Sequence, residues 1–461
     1  MSLFDLSSEE ITSEPLYRVI PILAAPLLAQ NVVRVANRVI DLFFVGRLSG
    51  DAVAALGIAT PVFVIANIVI IGLPFFGTQI VASQRVGAGD DEEARRATFN
   101  GLLLSLALGA GVGGVVWIAA PALMDLLTSV RPDAPENGPV VRMAVDYLRV
   151  IVLGYWMAAM SDTLEAALIA RGDSRGPFLI TVVTVVTSIV LDPFLIFGIG
   201  PFPALGVAGA AAASVASFAA SLALASYYAF TGRQGGIVSR EAATVSLPDL
   251  REMVDNAWPP TAQRANEFVA DAAMVVIVFA AGGPAGVAAY VVGTRVFAIA
   301  SIPGFGIETA SQSVVGQNLG SEQPDRAART GVVGGVFLAG LLTPIAVLQW
   351  FGAGTIISIL APDLSGAGFA DATLFLRVLA YSYPAVGGLY ALRGVFNGAG
   401  KSRISFYSSI LQYWVVQTPV AAAVGIFLIS DLGLVFWAYS GAKVATAAAI
   451  VGYFVYATRT R

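Results

Sequence analysis

The chain has 461 residues, 57% of them hydrophobic and 12% charged, with a formal net charge of −4 and a mean hydropathy of +0.79. Soluble domains carry roughly a quarter charged residues, so a soluble globular fold is excluded and the chain reads as an integral membrane protein. Cysteine and histidine are both absent, which removes disulfide frameworks, thiolate and imidazole metal ligands and imidazole bases together. Enzyme chemistry of the metalloprotease kind is excluded with them, and no other catalytic constellation stands out.

The first 16 residues, MSLFDLSSEEITSEPL, hold four acids and no base, so they lack the basic start of a cleavable signal peptide. They are expected to be a cytoplasmic tail, 1–16, with the first span acting as its own insertion signal. A helix needs about 20 mostly apolar residues to cross about 30 Å of hydrocarbon. Twelve such runs fit the chain, at 17–47, 53–84, 94–125, 140–170, 176–198, 205–231, 250–281, 286–318, 327–360, 369–397, 404–429 and 433–457. None alternates apolar and polar residues as barrel strands do. The expected fold is therefore all-α, a polytopic membrane protein of twelve transmembrane helices.

In the first span, NRVIDLFFVG sets Asp41 among Val39, Ile40, Leu42, Phe43 and Phe44. A carboxylate at bilayer depth costs about 2.5–3.5 kcal/mol on insertion scales and normally faces the bundle interior. With 3.6 residues per turn, Gln30, Arg34, Asn37, Arg38 and Asp41 share that face. Arg34 and Arg38 either hold Asp41 ionised or turn away to attract an anionic part of a substrate. The fifth span repeats the device with Thr181, Thr184, Ser188 and Asp192, and Pro193 removes a backbone donor and frees a carbonyl near Ile189. Carboxylates, hydroxyls and a freed carbonyl suit a hard cation such as Na+ at Asp41 and Asp192. Two carboxylates in one dry site also suit a proton.

After the sixth span, GRQGGIVSREAATVSL is the longest polar connection in the chain. Within the seventh span lies PPTAQRANEFVADAAM (Pro259–Met274), in which Gln263, Glu267 and Asp271 lie four residues apart and Arg264 precedes Glu267 by three. Glu267 and Asp271 are candidates for substrate binding or proton linkage, or for local pairing with Arg264. Glu308, Arg295 and Lys443 are further isolated charges, most simply read as buried ion pairs. The even-numbered connections and the C-terminus hold thirteen bases, among them Arg85, Arg96, Arg171, Arg233, Arg326, Arg329 and Arg461, against little beyond Arg47 and Arg131 in the odd-numbered ones. The positive-inside rule then places both termini in the cytoplasm of a cell whose cytoplasmic membrane the protein crosses many times.

The twelve spans form two sets. Shifted by 234 residues, VAALGIATPVFVIANIVIIG (Val53–Gly72) falls on VAAYVVGTRVFAIASIPGFG (Val287–Gly306), with ten of twenty positions identical. RGDSRGPF (Arg171–Phe178) falls on AGKSRISF (Ala399–Phe406) at an offset of 228, sharing Gly, Ser, Arg and Phe. Six spans return the chain to its starting side, so an internal duplication gives two parallel six-helix lobes related by an axis along the membrane normal. The expected lobes are 17–231 and 249–461, the second including a short C-terminal tail, joined by a cytoplasmic linker at 232–248. Such a pair encloses a cleft and can alternate by rocking, which favours a secondary transporter. No GxxxxGK[ST] phosphate loop is present, so an ion gradient is the expected driver.

The order of motifs resembles the multidrug and toxic compound extrusion (MATE) transporters. An Asp in helix one precedes FVGRLSGDAVAALG, helix four ends in ARGDSRGP, helix five carries VLDP and helix eight ends in VVGQNLG. The resemblance covers about residues 17–457. It implies that Asp41 and Asp192 lie together, with Ser188 at the place of an Asn and Ser214 at the place of a Thr in archaeal-type members. Glu267 falls where bacterial and eukaryotic relatives carry a functional helix-seven Glu. The expected coupling-cation set is thus Asp41, Asp192, Ser188, Ser214 and Asn37, with Glu267, Asp271, Arg34 and Arg38 as substrate or proton-linked candidates.

The implied activity is antiport: Na+ or H+ enters while a small organic compound, cationic or amphipathic, leaves. The alternative is a flippase of the same architecture for a lipid-linked saccharide or another anionic amphiphile. Expected partners are the small-molecule substrate and membrane lipid, without nucleic acid and without a cofactor beyond the coupling ion, in a monomeric transporter.

Overall fold

The computed structural model describes residues 6–129, 137–231 and 236–459. The first residues of the expected tail, part of the linker, and the bases Arg131, Arg233 and Arg461 lie outside the described residues.

A short helix α1 (Ser8–Ser13) leads into α2 (Leu16–Gly46), α3 (Gly50–Gly87), α4 (Asp91–Thr128), α5 (Asn137–Val152), α6 (Tyr155–Ala170), α7 (Arg175–Phe197) and α8 (Val207–Thr231). After them come α9 (Leu247–Ala300), α10 (Ile302–Gly320), α11 (Pro324–Leu360), α12 (Gly366–Gly398), α13 (Ser402–Ile410), α14 (Thr418–Ala422) and α15 (Leu432–Arg459). Two π-helical turns, Leu411–Gln417 and Ala423–Leu428, follow α13 and α14. Local chemistry sets the ends. The Ser49 hydroxyl accepts from the Ala52 amide 3.1 Å away and starts α3. Asp91, Glu92 and Glu93 fill the first turn of α4, where carboxylates meet the positive end of the helix dipole. Gly198 ends α7 at φ 72°, a left-handed turn that favours glycine.

Among the described residues nine helices are long and apolar enough to cross a membrane, and ten if a bent pair counts as one span. The twelve expected spans all fall on helices, and the difference has physical causes. The span at 140–170 is α5 and α6, bent by 47° at Leu153–Gly154. The break expected between 281 and 286 sits inside α9 at Gly283, whose φ of 60° departs from helix, so one 54-residue element holds a full span and the start of the next. Helix α12 is 33 residues long, but its interior carries Ser382, Tyr383, Tyr390, Arg393 and Asn397, all buried.

The chain divides into two compact units, Met1–Ser8 with Ala29–Thr261, and Glu9–Leu28 with Ala262–Arg461. Helix α2 thus passes from the second unit to the first just after Pro26, and α9 passes from the first to the second just after Pro260. The repeat offset of 234 superposes these two prolines, each of which leaves an unpaired carbonyl inside its helix.

Within the first unit, α7 and α8 pack closely because Gly209 presents no side chain: a methyl there would overlap the Leu195 carbonyl. The opening turn of α9 is tied to α3 and α4 by Asp249, which lies 3.0 Å from Arg85 and 2.8 Å from Arg96. Within the second unit, Gly394 lets α12 lie directly on the Glu308 carbonyl of α10. That contact seats Arg393 beside the acidic residues of α9 and α10.

Candidate functional site

In the first unit the polar stripe of α2 meets α6 and α7. Asp41 and Asp192 approach to within hydrogen-bonding reach of each other. The Asn37 amide donates to Asp41 Oδ2 at 3.0 Å, one helical turn earlier. Asp192 is 1% exposed and Ser188, one turn before it on α7, is also buried. Three buried acceptor oxygens here receive no donor: Asn37 Oδ1, Asp41 Oδ1 and Asp192 Oδ2. Two ionised carboxylates have no hydrogen to share, so an approach this close favours a shared proton or a cation between them. The donor set, all oxygen, fits Na+ as well as H+. Tyr147 of α5 is an electrostatic neighbour of both carboxylates.

The structure brings Asn37, Asp41 and Asp192 together and leaves the two serines outside the hydrogen-bonded set. Ser188 shares α7 with Asp192, and Ser214 is half-buried on α8, but among the described residues no hydrogen bond joins either hydroxyl to a carboxylate.

Arg34 resolves one alternative left open by the sequence. Its Nη2 lies 3.2 Å from Asp162 Oδ1 and 3.1 Å from Glu165 Oε2, both on α6. Gln30 Nε2 also donates to Glu165 at 2.7 Å and to Thr181 of α7 at 2.8 Å. Arg34 is therefore committed to α6 instead of Asp41. Arg38 interacts with Asp41 through space, with no direct ion pair among the described residues. Asp162 and Glu165 were missed by the sequence reading. Their signal was the one that revealed Asp41, carboxylates in an apolar span, here three residues apart on one face.

The second unit holds its own polar cluster. Glu267 lies 3.3 Å from Arg393 and 3.6 Å from Arg264, and Arg264 is 3.4 Å from Glu308. Arg264 also stacks over Phe305, 4.7 Å from the ring centre. Asp271 accepts from the Tyr290 hydroxyl at 3.3 Å. The pairing expected between Glu267 and Arg264 is present, and Arg393 of α12, which the sequence reading did not single out, is its closer partner. Asn266 connects to the other wall of the unit through Ser409 at 2.9 Å and through the Trp414 indole.

A helical membrane protein with two compact units and buried, clustered ionisable groups is built as a polytopic transporter. The MatE family model matches residues 26–194 and 259–423, and the chain belongs to that family. Its members are transporters, not enzymes. A probable multidrug resistance protein NorM of Deinococcus radiodurans is 27% identical over 445 residues, covering 95% of this chain and 94% of the relative. The corresponding NorM of Thermotoga maritima is 24% identical over 401 residues, covering 87% and 83%. An FAD transporter of Shewanella oneidensis is 24% identical over 416 residues, covering 89% of each chain. Among solved structures, a MATE transporter in complex with MaL6 aligns with a TM-score of 0.90 at 21% identity over 99% of each chain. At that identity the likeness establishes the fold.

Proposed function

We propose that this MatE-family transporter is a cation-coupled antiporter that exports small amphipathic organic compounds by alternating access. The observation that supports the coupling is the charge balance inside the first unit. Among the described residues, the bases that face Asp41, Asp162, Glu165 and Asp192 are Arg34 and Arg38. Two negative charges are left over when all are ionised, and uncompensated charge away from water is costly. Arg34 is occupied on α6, so the Asp41 and Asp192 pair is where an entering Na+ or H+ is held. Binding there shifts the transporter toward one state, and reciprocal linkage requires the exported compound to weaken cation binding by the same factor. One charge moving down 100 mV supplies about 2.3 kcal/mol, enough for roughly a fiftyfold gradient of a neutral compound.

The names of the relatives, multidrug resistance proteins and an FAD transporter, support transport of small organic molecules. The flippase alternative is not favoured: the matching relatives carry multidrug-resistance names, and Arg34 and Arg264 are engaged by carboxylates of their own units. In this reading the protein crosses the cytoplasmic membrane as a monomer with both termini inside.

Proteoliposomes preloaded with ethidium, given an inward Na+ or an inward H+ gradient separately, test the coupling. Efflux driven by one gradient and lost in Asp41→Asn identifies the ion and its site. Equal efflux in wild type and Asp41→Asn under both gradients would overturn it.

A further inference from the structure

The second unit differs in polarity from the first. The bases of its polar cluster on α9, α12 and α15 are Arg264, Arg393 and Lys443, and the acids beside them are Glu267 and Glu308, while a third acid, Asp271, is exposed. Arg264 and Arg393 make direct ion pairs with those two acids. Lys443 makes none among the described residues, although it is only 3% exposed. Its ammonium is held instead by ring faces, 3.9 Å from the centre of Tyr439, 4.9 Å from Phe297 and 6.0 Å from Tyr413. Aromatic faces stabilise a cation without consuming its hydrogen-bond donors, and Asp271 and Glu267 act on this ammonium through space without a direct ion pair among the described residues.

A second buried group makes no hydrogen bond among the described residues. Gln417 is fully buried, and both its Nε2 and Oε1 lack hydrogen bonds. It ends the π-helical turn Leu411–Gln417 that carries Tyr413, and such turns recur at functional sites. This segment packs against α15, with the Tyr413 ring centre 6.0 Å from Lys443 Nζ, and Lys443 in turn lies over the ring of Tyr439 on its own helix. Buried donors without acceptors are rare in native structures, and Gln417 follows Tyr413, one of the rings around Lys443, by four residues on the same segment.

We propose that Lys443 and Gln417, framed by Phe297, Tyr413 and Tyr439, form a subsite for the anionic group of an aromatic substrate. This rests on the transporter reading above and names the substrate class. The ammonium and amide donate to the carboxylate, the rings take the aromatic body, and Asp271 at the exposed side weakens the same anion by repulsion.

The test is equilibrium binding to the full-length protein in nanodiscs, with no ion gradient, using 1-naphthoate, 1-naphthylmethylammonium and 1-naphthylmethanol as probes matched in size. The expected result is that wild type prefers naphthoate, that Lys443→Met weakens it at least tenfold while leaving the neutral probe within twofold, and that Lys443→Arg retains it. Asp271→Asn should tighten naphthoate several-fold, which a purely structural role for Lys443 would not produce. If Lys443→Met does not stay monodisperse with a sharp melting transition, Lys443→Arg and Asp271→Asn carry the test. Equal affinity of wild type for the three probes, no naphthoate binding, or no tightening in Asp271→Asn overturns the proposal. Because no gradient is applied, failure here is distinct from failure of coupling, which the Asp41→Asn efflux measurement reads separately.

Discussion

Arg34 is bound to Glu165, Nη2 to Oε2 at 3.1 Å, and the same nitrogen reaches Asp162 at 3.2 Å. One guanidinium therefore serves two carboxylates of α6, one of which is almost fully buried. This arrangement separates the charged residues of α2 into two roles. Arg34 and Gln30 lock α2 to α6 and α7, and Asn37 and Asp41 are left to work with Asp192.

Removing Arg34 should therefore harm stability before it harms ion selectivity. Breaking a fully buried pair costs about 3–5 kcal/mol, but the Arg34 side chain is 44% exposed, so Arg34→Met should cost about 1–3 kcal/mol. Adding Glu165→Gln removes the stranded charge and should recover at least half of the loss. Thermal melting in detergent across the wild type, both single variants and the double variant checks this. Additive losses in the double variant would show that Arg34 and Glu165 are not coupled.

Asp41 and Asp192 should behave as one unit. If a single cation is held between them, either Asp→Asn change abolishes gradient-driven transport, and the double variant is no worse than the singles. Initial efflux rates in proteoliposomes decide it. Half-activity in each single variant with a further fall in the double variant would mean two independent sites.

Much of this arrangement was legible in the sequence, and the part that was not has a physical explanation. The membrane class and the helical spans follow from hydropathy and helical period, and the pairing of Asp41 with Asp192 is what the resemblance to the MATE transporters implies. The destination of Arg34 does not, because the stripe on α2 shows which face a residue shares and not which helix lies opposite. Asp162 and Glu165 are visible as carboxylates in an apolar span, but the base that they share, Arg34, lies on α2 and no local pattern in α6 points to it. The passage of α2 and α9 from one unit to the other is not encoded in any local pattern, since both helices continue through their prolines.

Gly394 should tolerate no side chain. A methyl at that position would overlap the Glu308 carbonyl and press on Ser311 Cβ at 3.0 Å, and overpacking of this kind costs about 1–3 kcal/mol. Gly441 on α15 has open space around it, so Gly441→Ala is the control and should stay within about 0.5 kcal/mol of wild type. Melting temperatures of Gly394→Ala and Gly441→Ala measure the contrast, and equal values would mean that α10 and α12 can move apart at no cost.

The opening of α9 offers the last prediction. Asp249 is 4% exposed and receives Arg85 Nη2 at 3.0 Å and Arg96 Nε at 2.8 Å. Arg85 also reaches Glu252 at 2.9 Å, and Arg96 reaches Glu93 at 2.6 Å. Met253, fully buried and one turn further along the same face of α9, packs against Gly77 of α3. Charge and packing thus hold the same turn. Asp249→Asn keeps the shape but removes the charge that two guanidiniums share, so the first turn of α9 should open more readily while Met253 keeps the rest in place. Hydrogen exchange should rise at least tenfold in residues 247–252 and change little beyond 255. Raising salt to 1 M, where the screening length is about 3 Å, should loosen the wild type less than the substitution does, because Asp249 is shielded from the ions. Wild type in high salt matching Asp249→Asn would mean that the network acts only as a surface attraction; exchange rising along the whole of α9 would mean that Asp249, and not Met253, fixes the helix.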